Sequence, residues 1–396
     1  KIVVLKFGGT SVGTIEKIKK VTDIIIEHKK KKNKVIVVSS AMSGVTNDLI
    51  KKSKQISNNF IDSEYDVLVS SGEQVACSLI AGRLNHKGFK SRSWLGWQIP
   101  IFTNGPYTNS RIQQVNKNKL LRFLKEGGIP IITGFQGVNM NERVTTIGRG
   151  GSDASAIMIA KSFKAQRCII YTDVEGVYTT DPNKLKKAKK IKVISYEEML
   201  EMASLGAKVM QPVSIQDARL NRINIEVKSS FIKKPGTLIT KRTNLNNNRI
   251  ITGISSTHND AKVTLVGVKD RPGVAASIFK PLSINSINVD MVAQNISPNG
   301  KETDLTFTIK AEDLNKTKKI VQDNKSIKFK KVLFQKGVSK ISIIGVGMIT
   351  TPGVTFRMFQ ALANKKINIQ VISTSEIKIS VSVSYTHLRA HETDRY

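Results

Sequence analysis

Apolar and polar positions give this chain two textures. Through the first 230 residues, apolar runs alternate with longer amphipathic stretches. The runs at Ile2–Leu5, 35–42, 91–97, 128–137 and 167–174 predict strands, and the stretches 11–29, 71–88 and 152–165 predict helices between them. Such alternation predicts an α/β sandwich, with helices covering a mostly parallel central sheet. "KKPGTLI" (233–239) and the polar "NLNNN" (244–248) mark the exit from this domain, bounded at 1–240.

After residue 250 the pattern repeats itself. "VTLVGVKDRPGVAASIFKPLSINSINVDMVAQ" (263–294) is echoed by "ISIIGVGMITTPGVTFRMFQALANKKINIQVIS" (341–373), with Pro272-Gly273 and Pro352-Gly353 80 residues apart. Each copy reads strand, Pro-Gly turn, helix, strand. A period of this length predicts a duplicated small α+β domain, at 250–332 and 338–383, and not a solenoid of short repeats. The second copy stops short of a further helix. The stretch that follows, "SVSYTHLRAHETDRY", has no lysine and holds His387 and His391. Residues 384–396 are therefore expected to be a foreign tail, a cloning scar or an assembly artefact, and its histidines are given no function.

Composition narrows the class. With 396 residues, 40% hydrophobic and 23% charged, the chain is that of an ordinary globular protein of two or three domains. No apolar run approaches the ~18 residues that span a bilayer. Two cysteines, Cys77 and Cys168, form no metal or disulfide framework, so a cytoplasmic setting is expected. The net charge of +33 invites a nucleic-acid reading. But the lysines are scattered in runs such as "HKKKKNK" and "NKLKKAKK" among many Ile and Asn, as in an AT-rich genome, and no zinc-finger or ribonucleoprotein motif accompanies them.

The chemistry concentrates at strand ends. In "KFGGTS" (6–11), Lys6 and the pair Gly8-Gly9 stand where a strand becomes a helix. Backbone N–H groups at such a turn attract anions, and glycine permits close approach. The motif is not a P-loop, because Thr14 stands where the lysine is required, and "GVGMIT" lacks the third glycine of a dinucleotide fingerprint. "SSAMSGVTNDL" (39–49), "SSGEQ" (70–74, with Glu73 at an expected helix start), "GRGGSDASA" (148–156) and "YTDVEGVYTTDP" (171–182) are similar loops. Singly, each could be a turn or a helix cap, Ser152 and Asp153 included.

Taken together, "KFGGTS", "SSGEQ", "GRGGSD", "TDVEGVYTTDP" and "ISTSE" (372–376) closely resemble the aspartate kinases of the amino acid kinase superfamily, in order and spacing, over residues 1–383. The resemblance implies a three-layer α/β/α sandwich followed by two ferredoxin-like ACT domains. It also implies ATP-dependent phosphorylation of the side chain of L-aspartate, the first step towards lysine, threonine and methionine. Within that frame Lys6 is expected to bridge the phosphates, with backbone N–H groups from Gly8 and Gly9 and a hydroxyl from Ser11. Asp153 is expected to orient Lys6, Arg149 to fork onto a substrate carboxylate, and Glu73 to pair with the α-ammonium. Ser40, Thr46 and Ser152 complete the substrate pocket. By resemblance, Thr172, Asp173, Tyr178 and Asp181 line the nucleotide pocket, and Lys208 in "GAKVM" reaches ATP.

The carboxylate nucleophile is ionised at neutral pH, so no general base is required. Mg²⁺ is expected with the ATP, held by phosphates and water, since no protein metal cage is visible. In the repeats, Asp270, Ala275, Gln294, Asn295, Asn368 and Ile369 are candidate contacts for an inhibitory amino acid, lysine or threonine or both. A homodimer or larger homo-oligomer through these repeats is expected, with no nucleic acid and no membrane. The competing readings are other amino acid kinases, an amino acid sensor with an inactive kinase domain, and a basic nucleic-acid binder.

Overall fold

A computed structural model describes residues 1–148, 150–207, 209–241, 249–296, 302–324 and 327–385. The chain divides into two compact units, 1–247 and 248–396.

The first unit runs β1 (Ile2–Phe7), α1 (Ile15–Lys30), β2 (Lys34–Ser39), α2 (Val45–Ile56), α3 (Asp62–His86), β3 (Ser91–Trp94), β4 (Ile101–Asn104), β5 (Arg111–Val115), α4 (Asn118–Lys125), β6 (Ile129–Thr133), β7 (Gln136–Val138) and β8 (Val144–Thr146). It continues with α5 (Gly151–Ser162), β9 (Arg167–Thr172), β10 (Val193–Ser195), α6 (Tyr196–Ser204), α7 (Pro212–Asn221), β11 (Ile225–Ser229) and β12 (Thr237–Thr240). Eight strands form one sheet in the order β10-β12-β11-β9-β1-β2-β6-β3. Every neighbouring pair is parallel except β11 with β12. Strands buried on both faces need continuous apolar sequence, and β1 and β2 supply it. Leu5, Val37 and Ile131 face α1 and α3, contributing to one core with Ile18, Ile25, Ile80 and Leu84. The alternate residues Val4, Ile36 and Val38 are equally buried, towards the opposite layer, where α5 lies against β1 and β2. A second, four-stranded sheet has the order β5-β4-β7-β8.

One helix differs from its sequence expectation. Glu73 is not at a helix start but in the middle of α3, which begins at Asp62. Asp62 and Glu64 supply the first-turn acidity expected of a helix N-terminus. The small residues 70–72 that read as a break are absorbed, because Ser70 and Ser71 hydroxyls donate to the carbonyls of Val67 and Leu68 one turn back.

The second unit comprises β13 (Gly253–Lys269), α8 (Val274–Ile284), β14 (Val292–Ile296), β15 (Glu302–Lys310), α9 (Leu314–Asp323), β16 (Lys331–Ile344), α10 (Val354–Asn364), β17 (Ile369–Ser375) and β18 (Lys378–Ser384). They form a single antiparallel sheet, β14-β15-β13-β16-β18-β17. Each copy has its own core: Val263, Leu265, Ile278, Phe307 and Leu314 in the first, Ile343, Val354, Met358, Val381 and Val383 in the second.

The copies interlock. Gly253–Thr257, at the start of the first copy as bounded by sequence, pair with Ile344–Lys340 of the second, while Lys331–Gln335 pair back onto Val266–Lys262 of the first. Each copy thus receives its fourth strand from the long strand that opens the other. Most of the tail expected at 384–396, with His387 and His391, lies outside the described residues.

Candidate active site

Parallel sheets bind ligands beyond the carboxyl ends of their strands. Here the segments following β1, β2 and β6 border a cavity of about 760 Å³, with the N-terminal turns of α2 and α5 on its wall. Lys6, next to last in β1, is 9% exposed, and its Nζ lies 2.7 Å from Asp153 Oδ1 in the first turn of α5. Gly9 lines the same space, and a Cβ there would come 2.9 Å from Ala41 O, so only glycine allows the β1 and β2 turns to approach so closely.

Both helices start on a left-handed glycine, Gly44 (φ +89°) and Gly150 (φ +75°), and neither has a side-chain cap. Two uncapped helix N-termini and a lysine on one cavity wall make a receptor for anions.

The cation receptor is Glu73. It is 3% exposed; its Oε1 accepts from Ala41 N–H at 3.1 Å, and its Oε2 is buried without a partner. Burial pushes its carboxyl up to about 7, against the downward pull of the Ala41 hydrogen bond. A buried carboxylate oxygen without a donor calls for a positively charged ligand group.

Seven expected site residues line this one cavity: Lys6, Gly9, Ser40, Thr46, Glu73, Ser152 and Asp153. Others do not. The Gly8 N–H expected to face phosphate donates instead to Tyr171 O at 3.2 Å, within the β1–β9 ladder. Ser11 is fully buried; its hydroxyl donates to Tyr171 O (3.4 Å) and accepts from Ser230 (2.6 Å), so it ties the turn to β9 and β11 and does not reach the cavity. Thr172 ends β9, and Asp173, Tyr178 and Asp181 stand on the segment after it, all four outside the cavity lining. Thr172 donates to Asp173 (3.1 Å), and Asp181 Oδ1 accepts from Asn183 N–H (2.9 Å) in a turn. Arg149 and Lys208 lie outside the described residues. The cavity also takes Tyr65, Thr108, Phe135 and Thr146, which carried no local sequence signal. Among the described residues no cluster of His, Cys, Asp or Glu could hold a metal ion.

In the second unit, Asp270 is exposed just before the Pro-Gly turn, and Ala275 sits in the first turn of α8. Gln294 and Asn295 are exposed on β14; Asn368 immediately precedes β17 and Ile369 opens it. β14 and β17 are the two edges of the sheet, and they approach one another. A separate cavity of about 290 Å³, near the end of α8, is lined by Phe279, Ser283 and Asn288 and by none of the six.

Fold and site define a phosphate-handling α/β enzyme followed by a duplicated small domain. The model of the amino acid kinase family matches residues 1–229, and that of the ACT domain matches 263–324 and 341–390. The chain belongs to the aspartokinases of the amino acid kinase family. It is 42% identical over 387 residues to an aspartokinase of Geobacillus stearothermophilus, covering 98% of this chain and 94% of the relative. It is 44% identical over 391 residues to an aspartate kinase of Pseudomonas fluorescens, with the same coverage. The crystal structure of E. coli aspartokinase III in complex with aspartate and ADP superposes with a TM-score of 0.79 at 25% identity, covering 98% of each chain. No helix among the described residues is long and apolar enough to cross a membrane.

Proposed function

We propose that the chain transfers the γ-phosphoryl group of ATP to the side-chain carboxylate of L-aspartate, giving 4-phospho-L-aspartate and ADP, as the first step towards lysine, threonine and methionine in the cytoplasm. The observation that carries this reading is the unpartnered, buried Oε2 of Glu73 in the same cavity as the Lys6–Asp153 pair and two open helix N-termini. A site with one receptor for a cation and another for anions fits an amino acid whose side chain is to be phosphorylated. The E. coli relative solved with aspartate and ADP supports it.

The substrate's α-ammonium pairs with Glu73, and Ser40, Thr46 and Ser152 contribute hydroxyls. Arg149 forks onto a carboxylate of aspartate. Lys6, oriented by Asp153, draws charge from the transferring group, with Gly9 and the helix N-termini around the phosphates. Thr172, Asp173, Tyr178, Asp181 and Lys208 serve the nucleotide. One oxygen of the aspartate side chain bonds to the γ-phosphorus; the bond from that phosphorus to the β-phosphate oxygen breaks, and ADP leaves with its electron pair. No proton moves, because the carboxylate is already ionised. The work of the site is positioning and charge stabilisation. Mg²⁺ would arrive on the phosphates and screen their charge, its remaining ligands water.

The ACT repeats make the enzyme sensitive to an end-product amino acid, lysine or threonine, which inhibits by binding one conformational state better than the other. They also join chains into a homodimer or larger assembly. The test is ADP release with ATP and Mg²⁺ on aspartate, glutamate and N-acetylglutamate, then on aspartate with lysine or threonine added. Turnover on aspartate alone is expected. Turnover on glutamate, or on none of the three by folded protein, overturns the reading.

A further inference from the structure

Asp66 is fully buried on α3, seven residues before Glu73 and so on the same helix face. Its oxygens accept from Thr108 N–H (3.1 and 3.0 Å), Thr146 N–H (2.8 Å) and the Thr146 hydroxyl (2.6 Å). Thr108 and Thr146 belong to segments far apart in sequence, and both line the cavity that holds Glu73. Thr108 has φ +66°, a left-handed conformation that a β-branched residue resists. The loop it anchors rests on the glycine turn before α5: a Cβ on Gly148 would come 2.9 Å from Asn109 Oδ1 and 3.3 Å from Thr108 O.

Burying a carboxylate is unfavourable unless hydrogen bonds replace its water. Here the four hydrogen-bond contacts all come from two cavity-lining threonines, one of them strained. Strain of this kind persists only where its surroundings enforce it.

We propose that Asp66 is a positioning residue for the amino acid substrate: it braces Thr108 and Thr146 into the wall facing Glu73 and so sets the affinity for aspartate without touching it. The proposal rests on the assignment of this cavity to aspartate.

The test is steady-state kinetics with both substrates varied, together with thermal melts. Asp66→Ala removes the brace, and its KM for aspartate should rise tenfold or more while KM for ATP stays within twofold. Asp66→Asn, whose amide can donate to the Thr146 hydroxyl while its carbonyl still accepts from Thr146 N–H, should fall between, near threefold; it carries the test if the alanine variant does not fold. Adding Thr108→Gly to Asp66→Ala should recover threefold or more in the aspartate KM, because glycine takes a positive φ without a brace. The inference is overturned if both KM values rise together, or if the melting temperature falls with the aspartate KM unmoved. Failure of the wild-type enzyme to use aspartate would overturn the cavity assignment as well, and is told apart by that control.

Discussion

Replacing Glu73 by glutamine should make the protein more stable in mild alkali while crippling it as an enzyme. Lifting the Glu73 carboxyl from 4.5 to about 7 means that ionising it in the folded chain costs about 3 kcal/mol, at ~1.4 kcal/mol per tenfold change in proton affinity. The folded state holds the proton more tightly than the unfolded chain does. The penalty is therefore absent below pH ~4.5, grows as pH rises to about 7, and is complete above it. Glutamine has no such dependence. It keeps an acceptor for Ala41 N–H but buries an amide N–H₂ where Oε2 was, at a cost of about 1 kcal/mol. The variant should be about as stable as wild type at pH 5, where a penalty already near ~1 kcal/mol offsets the buried amide, and about 2 kcal/mol more stable at pH 8. For a unit of this size that is a swing of roughly 4 °C or more in the difference of melting temperatures. Other titrating groups are common to both proteins and cancel.

The same charge works for the substrate. Aspartate's ammonium favours ionised Glu73, so the wild-type KM for aspartate should fall by up to tenfold per pH unit below about 7 and level off above it. In Glu73→Gln it should be flat and up to roughly 100-fold higher, as expected when a hydrogen bond to a charged group worth ~1.5–3 kcal/mol is lost. The assays are melts of both proteins at pH 5, 6, 7 and 8 and the aspartate KM across the same range. A stability difference that does not change with pH would refute the argument from burial. A pH-independent wild-type KM would refute the pairing with ammonium.

Asp153→Asn removes the counter-charge 2.7 Å from Lys6 Nζ; kcat should fall about 100-fold in steady-state assays, the scale seen when one preorganised electrostatic group is lost. Ser11→Ala and Ser230→Ala should each lower stability by about 1 kcal/mol in urea titrations with KM for ATP within twofold; a larger change in KM would return the Ser11 hydroxyl to the phosphates. Gly150→Ala forces a side chain into φ +75° with its Cβ 2.6 Å from Gln211 Cγ. It should destabilise by about 1–2 kcal/mol or more, measured by urea unfolding.

What could be read from the sequence was whatever is local. Lys6 and Gly9 follow an apolar run, Thr46 follows a glycine that opens a helix, and Ser152 and Asp153 follow two glycines; strand-end chemistry is contiguous in the chain. Glu73 was legible as a residue but not as a position, because the serines and glycine before it are accommodated within α3 by contacts the sequence does not display. The wall of Tyr65, Thr108, Phe135 and Thr146 had no local signature at all. These residues meet only when α3, the loop before β5, the turn before β7 and the end of β8 come together. The signal that could have found part of it is an aspartate at position 66 on the apolar, inward face of a helix, where an unpaired carboxylate would not persist.

The same distinction between correspondence and contact explains the second unit. An 80-residue period establishes which residues are equivalent, such as Pro272 and Pro352. It does not establish which strands pair. Were each copy self-contained, the second would have only three strands among the described residues, and Val338–Ile344 would be a bare sheet edge, open to another chain. Gly253–Thr257 cover that edge instead, and Lys331–Gln335 do the same for the first copy. The exchange pairs each copy with a segment of the long strand that continues into the other. A duplicated domain whose copies complete one another in this way is one cooperative sheet, so a ligand that shifts the edge strand of one copy acts on a strand network continuous with the other.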